Sequence, residues 1–221
     1  LLVLIARNET QAAIELGMSA MQEVGVELPE LDTIGETYLN LETLYDSKNI
    51  GALTKLPVLE NQTSLLALEI ANVMQTPRYL MGPQYFMGLT YATMEWCLKS
   101  GNSAFSSKIF VSHALLICGA YGKYEEALEF VKVSEKLNSV YKGVKNFETE
   151  IQFSKHSTVA HWTGHLKDSL DALENNYYQG LEKGNVEYAF HSLLFQCFYR
   201  DRKSTRLNSS HIGAPRMPSS A

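Results

Sequence analysis

Apolar residues recur at helical spacing along most of this chain. The clearest case is the stretch at 122–130, where a Gly turn is followed by Tyr124, Ala127, Leu128 and Val131 at i, i+3, i+4 and i+7. That pattern reads as the start of the second helix of an αα-hairpin, with Ala127 turned to its neighbour and Glu126 to water. Ala12, Ala13, Leu16, Ala20 and Val24 give a similar face over 8–24, stopped by Gly25. Ile34, Tyr38, Leu41, Leu44 and Tyr45 give another over 33–46. Residues 47–59 look irregular, with one short helix near 50–56. Beyond them the pattern predicts helices over 61–74, 84–98, 104–118, 124–137, 147–162, 166–181 and 187–199. Thr76-Pro77 and Gly82-Pro83 are expected to break the chain.

The turn glycines set a period. Gly101, Gly143 and Gly184 are 42 and 41 residues apart, and Gly122 and Gly164 are 42 apart. Helix pairs repeating at this interval predict an all-α fold, a right-handed α-solenoid of stacked antiparallel hairpins with a tetratricopeptide-like plan. The step exceeds the ~34 residues of a standard tetratricopeptide repeat, so longer helices or looser turns are expected. The chain divides into N-terminal helices of a truncated repeat region at 1–60, stacked hairpins at 61–200, and a tail at 201–221. Leu1 to Ala6, with no initiating Met, read as the end of a helix that begins elsewhere.

The tail changes the electrostatic picture. From Asp201 the helical period stops, and Ser, Pro and Gly accumulate toward Ala221. Residues 201–211 and 216–221 resemble a translated DNA-sequencing adapter, so the tail is read as non-native and disordered and is excluded from fold reasoning. It carries Arg202, Lys203, Arg206 and Arg216 against Asp201, so the whole-chain charge of −5 conceals −8 over residues 1–200. An acidic chain gives no basic surface for nucleic acid. No run reaches the ~18 apolar residues of a membrane span. Cys97, Cys118 and Cys197 stand singly, without a C-x-x-C pair, which predicts buried thiols in a reducing, cytoplasmic setting. Asn8-Glu9-Thr10 and Asn61-Gln62-Thr63 match the glycosylation pattern, which such a setting leaves unused.

The residues that carry chemistry elsewhere form no site here. His161 and His165 have the i, i+4 spacing of a helical metal clip, but Gly164 lies between them and no acidic third ligand is spaced to join them. His113, His156 and His191 lie inside helices without a Ser or Cys nucleophile pattern. Glu125, Glu126 and Glu129, and Asp168, Asp171 and Glu174, read as dipole-stabilising acids on solvated helix starts. Tyr177 with Tyr178, and Phe195 and Phe198 with Tyr199, read as packing aromatics. No phosphate loop, dinucleotide fingerprint or kinase element occurs. No catalytic, cofactor-binding or metal residue is assigned, and this segment is expected not to be an enzyme.

Several blocks do carry a resemblance. They are Ala12 to Gly17 with Val24 to Pro29, then Leu98 to Ser103, Gly119 to Tyr124, His161-Trp162 through Leu170, and Tyr178 to Ala189. In this order they resemble the helical middle region of very large signalling proteins. Those proteins join a serine/threonine-kinase-like domain, an AAA-type (STAND-like) ATPase, a tetratricopeptide-like region, and often GAF and histidine-kinase modules. The resemblance covers nearly all of 1–200 but none of the family's catalytic residues. It implies a non-catalytic scaffold or relay between an ATPase and an output module, with flanking domains of the same chain as its partners. The alternative is a free-standing tetratricopeptide-type adaptor that binds a peptide or protein on its concave face.

Overall fold

The computed structural model describes residues 1–7 and 9–211, with side chains up to Asp201. The described chain is all-α. Its helices are α1 (Leu2–Ala6), α2 (Thr10–Glu23) and α3 (Ile34–Glu42), then a 3₁₀ segment at Ile50–Lys55. They continue with α4 (Gln62–Met81), α5 (Pro83–Ser100), α6 (Ser106–Tyr121) and α7 (Tyr124–Tyr141). After α8 (Glu148–Ser154) come a π-helical turn at Lys155–Val159 and α9 (Ala160–Thr163), followed by α10 (Leu166–Glu182) and α11 (Val186–His211).

Neighbours in sequence pack as antiparallel pairs: α4 with α5, α6 with α7, and α10 with α11. The pairs are joined through α5 against α6, α6 against α8, and α8 against both α10 and α11. Helix α6 lies at the centre. Every residue from Ser106 to Ala114 is buried, as expected of a helix covered on all sides. Its partner α7 is amphipathic and buries Ala127, Phe130, Val131, Ser134 and Leu137. Gly122 ends α6 in the left-handed conformation (φ 66°), which sets up the hairpin.

The N-terminal segments wrap onto this centre. Tyr38 of α3 stacks on Tyr121 with ring centroids 4.0 Å apart. Lys123 pairs with Glu42, and the Tyr45 hydroxyl donates to Glu126 Oε1 at 2.8 Å. Glu126 is therefore a half-buried acceptor, not the solvated residue that helical spacing alone assigns. Behind them the chain at 57–59 clips to the α5–α6 turn. Asn102 N–H donates to the Pro57 carbonyl and Leu59 N–H to the Asn102 carbonyl, both at 2.7 Å, and Asn102 Nδ2 donates to the Leu53 carbonyl at 2.8 Å. Gly101 has φ 111°, and a Cβ there would come within 2.3 Å of the Pro57 oxygen, so only glycine fits.

Several expectations from the pattern are corrected. Thr76-Pro77 does not break the chain, because α4 continues to Met81 with Met74, Gln75, Pro77 and Arg78 buried. Packing on both sides outweighs the roughly 3 kcal/mol that an interior proline costs. The helix expected over 147–162 is interrupted by the π-helical turn. Gly164 is extended (φ −138°), and Gly143 is not among the positive-φ glycines, so two of the five periodic glycines lack the expected turn conformation. Cys97 and Cys118 are buried but Cys197 is exposed. Trp162 is exposed, with its ring stacked on that of Tyr124, centroids 4.7 Å apart. Helix α11 extends past Asp201 to His211, since no Pro or Gly interrupts it before Gly213 and propagation adds a bond per residue. The rest of the expected tail, 212–221, and Asn8 lie outside the described residues. Asn61 of the second glycosylation-like triplet caps α4, its side chain accepting from Ser64 N–H at 3.0 Å. Among the described residues no helix is long and apolar enough to cross a membrane.

Candidate functional site

Helices α4, α6, α8 and α11, with the start of α5, face a common groove of about 470 Å³. Its walls are apolar: Tyr79 and Leu80 from α4, Leu115 from α6, Phe153 from α8, and Leu194 and Phe195 from α11. Tyr79, Leu80 and Leu194 are about half exposed or more, so the groove presents apolar surface to solvent.

Its placement follows from local features. A Cβ on Gly180 would lie 2.9 Å from the Ala189 Cβ and 3.1 Å from the Asn185 carbonyl. The absent side chain lets α10 and α11 approach closely, and this sets the path of α11 along the groove. Asn176 ties the corner together, with Nδ2 donating to the Thr149 carbonyl at 3.0 Å and to Ser192 Oγ at 2.9 Å. The π-helical turn brings Ser157 and Thr158 to the groove. Its displaced carbonyls are satisfied from outside the helix: the Tyr199 hydroxyl donates to the Ser157 oxygen, and Cys118 Sγ donates to the Thr158 oxygen at 3.4 Å.

The floor is polar and charged. Lys108 is only 8% exposed, yet it lines the groove. Among the described residues its ammonium makes no hydrogen bond and has no carboxylate oxygen within 4.0 Å. It lies 5.6 Å from the Phe147 ring centroid and 5.7 Å from that of Tyr188. Burial lowers its pKa, against the pull of Glu150 and Glu187. Glu150, in the first turn of α8, has its pKa raised by burial, with Lys108 opposing, and its Oε2 is buried without a partner. Glu187 is better satisfied: Thr76 Oγ1 donates to its Oε1 at 2.9 Å, and His191 Nε2 lies 3.8 Å away. A second, polar cleft of about 640 Å³ meets the groove at Glu187 and runs past Asn185 and Lys183 to Asn146.

The residues weighed in the sequence as chemical candidates mostly lie elsewhere. His165 caps α10, its Nδ1 accepting from Lys167 N–H at 3.1 Å, and His161 Nδ1 lies 3.2 Å from the Tyr199 hydroxyl. Among the described residues no group of three His, Cys, Asp or Glu could hold a metal ion. Glu125 and Glu129 face outward, as do Asp168, Asp171 and Glu174, with Glu174 pairing with Arg200 at 3.0 Å. Tyr178 and Phe198 are exposed, where packing was expected, while Tyr199 is buried. Only His191 and Phe195 of these candidates reach the groove. Lys108, Glu150 and Glu187 carry no motif. The one legible signal is Lys108 itself, a lone charge just ahead of the apolar run that starts at Ile109.

No family model matches the chain, and neither a curated protein nor a solved structure matches it significantly.

Proposed function

We propose that this chain is a non-catalytic scaffold, a right-handed α-solenoid whose concave, grooved face binds a segment of another protein or module. The observation that carries the reading is the groove, apolar at its walls and lined in turn by α4, the start of α5, α6, α8 and α11. The packing of α6 on α8 and of α8 on α11 also favours a stack in which like helices follow one another. So does the stripe Phe190, Leu194 and Phe198 at i, i+4 and i+8 of α11, each about half exposed, which has the make-up of an inter-hairpin face. Selecting binders from a random peptide library on the purified chain tests it. Peptides recovered should lose binding to Phe153→Asp and Leu194→Asp and keep it with Glu125→Ala. Binders insensitive to both groove substitutions would refute it.

The order of the resembling blocks favours a wider form of this reading, in which the bound segment belongs to a flanking module and the stack relays between an ATPase and an output domain. The most distinctive block, Tyr178 to Ala189, contains Gly180 at the α10–α11 contact and Glu187 and Tyr188 at the groove floor. Reading the gene upstream decides between relay and free adaptor. A phosphate loop and kinase motifs in frame support the relay, and a nearby start codon without them supports the adaptor.

A further inference from the structure

The groove floor holds two groups that burial has left incomplete. Lys108 is more than nine-tenths buried, and its ammonium has no hydrogen-bond partner among the described residues. Glu150 Oε2 is buried with no donor at hydrogen-bond distance, although the nearby Asn185 side chain helps to hold the carboxylate charged. They come from adjacent packed helices, face the same groove, and lie more than 4.0 Å apart, too far to satisfy each other. A buried carboxylate oxygen left unmet is costly, and a charged ammonium that meets only the groove adds to that cost. An occupant that meets both is therefore favoured over one that only fills the apolar walls.

Charge narrows what that occupant carries. A carboxylate would suit Lys108 but place a third negative charge beside Glu150 and Glu187. An ammonium would suit Glu150 but sit against Lys108. Glu187 is already engaged by Thr76 and lies near His191, so the unmet pair is one donor and one acceptor, nearly neutral in sum. A primary carboxamide presents an acceptor oxygen and a donor NH₂ side by side and adds no charge. Resting on the groove reading above, we propose that the groove selects a protein segment carrying a Gln or Asn side chain between apolar residues, its carboxamide oxygen accepting from Lys108 and its NH₂ donating to Glu150.

Four peptides test this, acetyl-Ser-Leu-Phe-Xaa-Leu-Phe-Ser-N-methylamide with Xaa as Gln, Glu, Lys or Leu, titrated into the chain by calorimetry. The Gln peptide should bind at least ~10-fold more tightly than the other three, because a site built on hydrogen bonds rejects groups that leave them unmet. In Lys108→Met the preference should move to the Lys peptide, and in Glu150→Gln to the Glu peptide. Equal binding of all four to the native chain would overturn the carboxamide assignment and leave the groove reading standing. If all four fail to bind, the groove reading falls with it. Circular dichroism establishes that each variant folds, and should one not fold, the series on the native chain decides the question alone.

Discussion

His113 offers a test of the core that can be worked through in numbers. It lies on α6 with no exposed surface, and its ring meets Phe130 edge-on at 4.8 Å, with Tyr45 and Tyr91 each at 6.1 Å. Neither ring nitrogen has a hydrogen-bond partner. Burial pushes its pKa down from 6.5 to about 3. The native imidazole therefore stays neutral where the unfolded one takes up a proton. Its stabilising effect is fully present above pH 6.5 and is lost as pH falls through 6.5 toward 3. In that window each pH unit costs about 1.4 kcal/mol, so going from pH 7 to pH 5 costs about 2 kcal/mol. His156, lowered to about 4 by burial, acts in the same direction, more weakly because it is partly exposed and solvent screens it. The raised pKa of Glu150 acts in the opposite direction. Both cancel when the native chain is compared with His113→Phe. That variant removes the titrating group and two unmet polar atoms at similar ring size, so at pH 7 it should be as stable as the native chain or more so, by about 1–2 kcal/mol. Urea unfolding followed by circular dichroism at pH 5, 6, 7 and 8 and constant ionic strength measures the effect. The stability gap between variant and native chain should widen by about 2 kcal/mol from pH 7 to pH 5. A gap that stays constant over that range would refute a neutral, unpartnered His113.

Four further outcomes follow from packing. Ala127 is fully buried, so Ala127→Leu should destabilise by roughly 1–3 kcal/mol in urea melts, whereas Glu126→Ala should cost about 1–3 kcal/mol through the orphaned Tyr45 hydroxyl, and a silent Glu126→Ala would contradict that contact. Gly101→Ala combines φ 111° with a 2.3 Å approach to the Pro57 oxygen and should lower stability by roughly 2–5 kcal/mol, seen as a drop in Tm; an unchanged Tm would count against the 57–59 clip. Cys197 should react with a thiol reagent in the native state, while Cys97, buried and with its pKa pushed up to about 12, reacts only on unfolding.

Much of the helical plan was legible because punctuation and period agree with tertiary structure. Gly101, Gly122 and Gly184 sit at positive φ in the turns where they were expected, and the stripe through Ala127 and Val131 is the buried face of α7. Where reading failed, packing overrode a local rule. Pro77 looks like a stop but is held between buried neighbours in α4. The π-helical turn at Lys155–Val159 spans only five residues, too few for its wider period to register in an apolar pattern. Glu126 has the spacing of a solvent residue, and its bond from Tyr45 comes from the chain just after α3, which returns across the α6–α7 hairpin. The groove was barely legible. Its floor joins Lys108, Glu150 and Glu187 from three helices, each separated from the next by about 40 residues, and no single helix face reveals that they converge.

The most direct test of a binding face along this groove is amide hydrogen exchange of the chain with and without a peptide selected for tight binding. Binding should slow exchange in α4, α6, the π-helical turn and the first turns of α11, and leave α7 and α10, which line no part of the groove, unchanged. Protection confined to α7 and α10, or none at saturating peptide, would contradict the account.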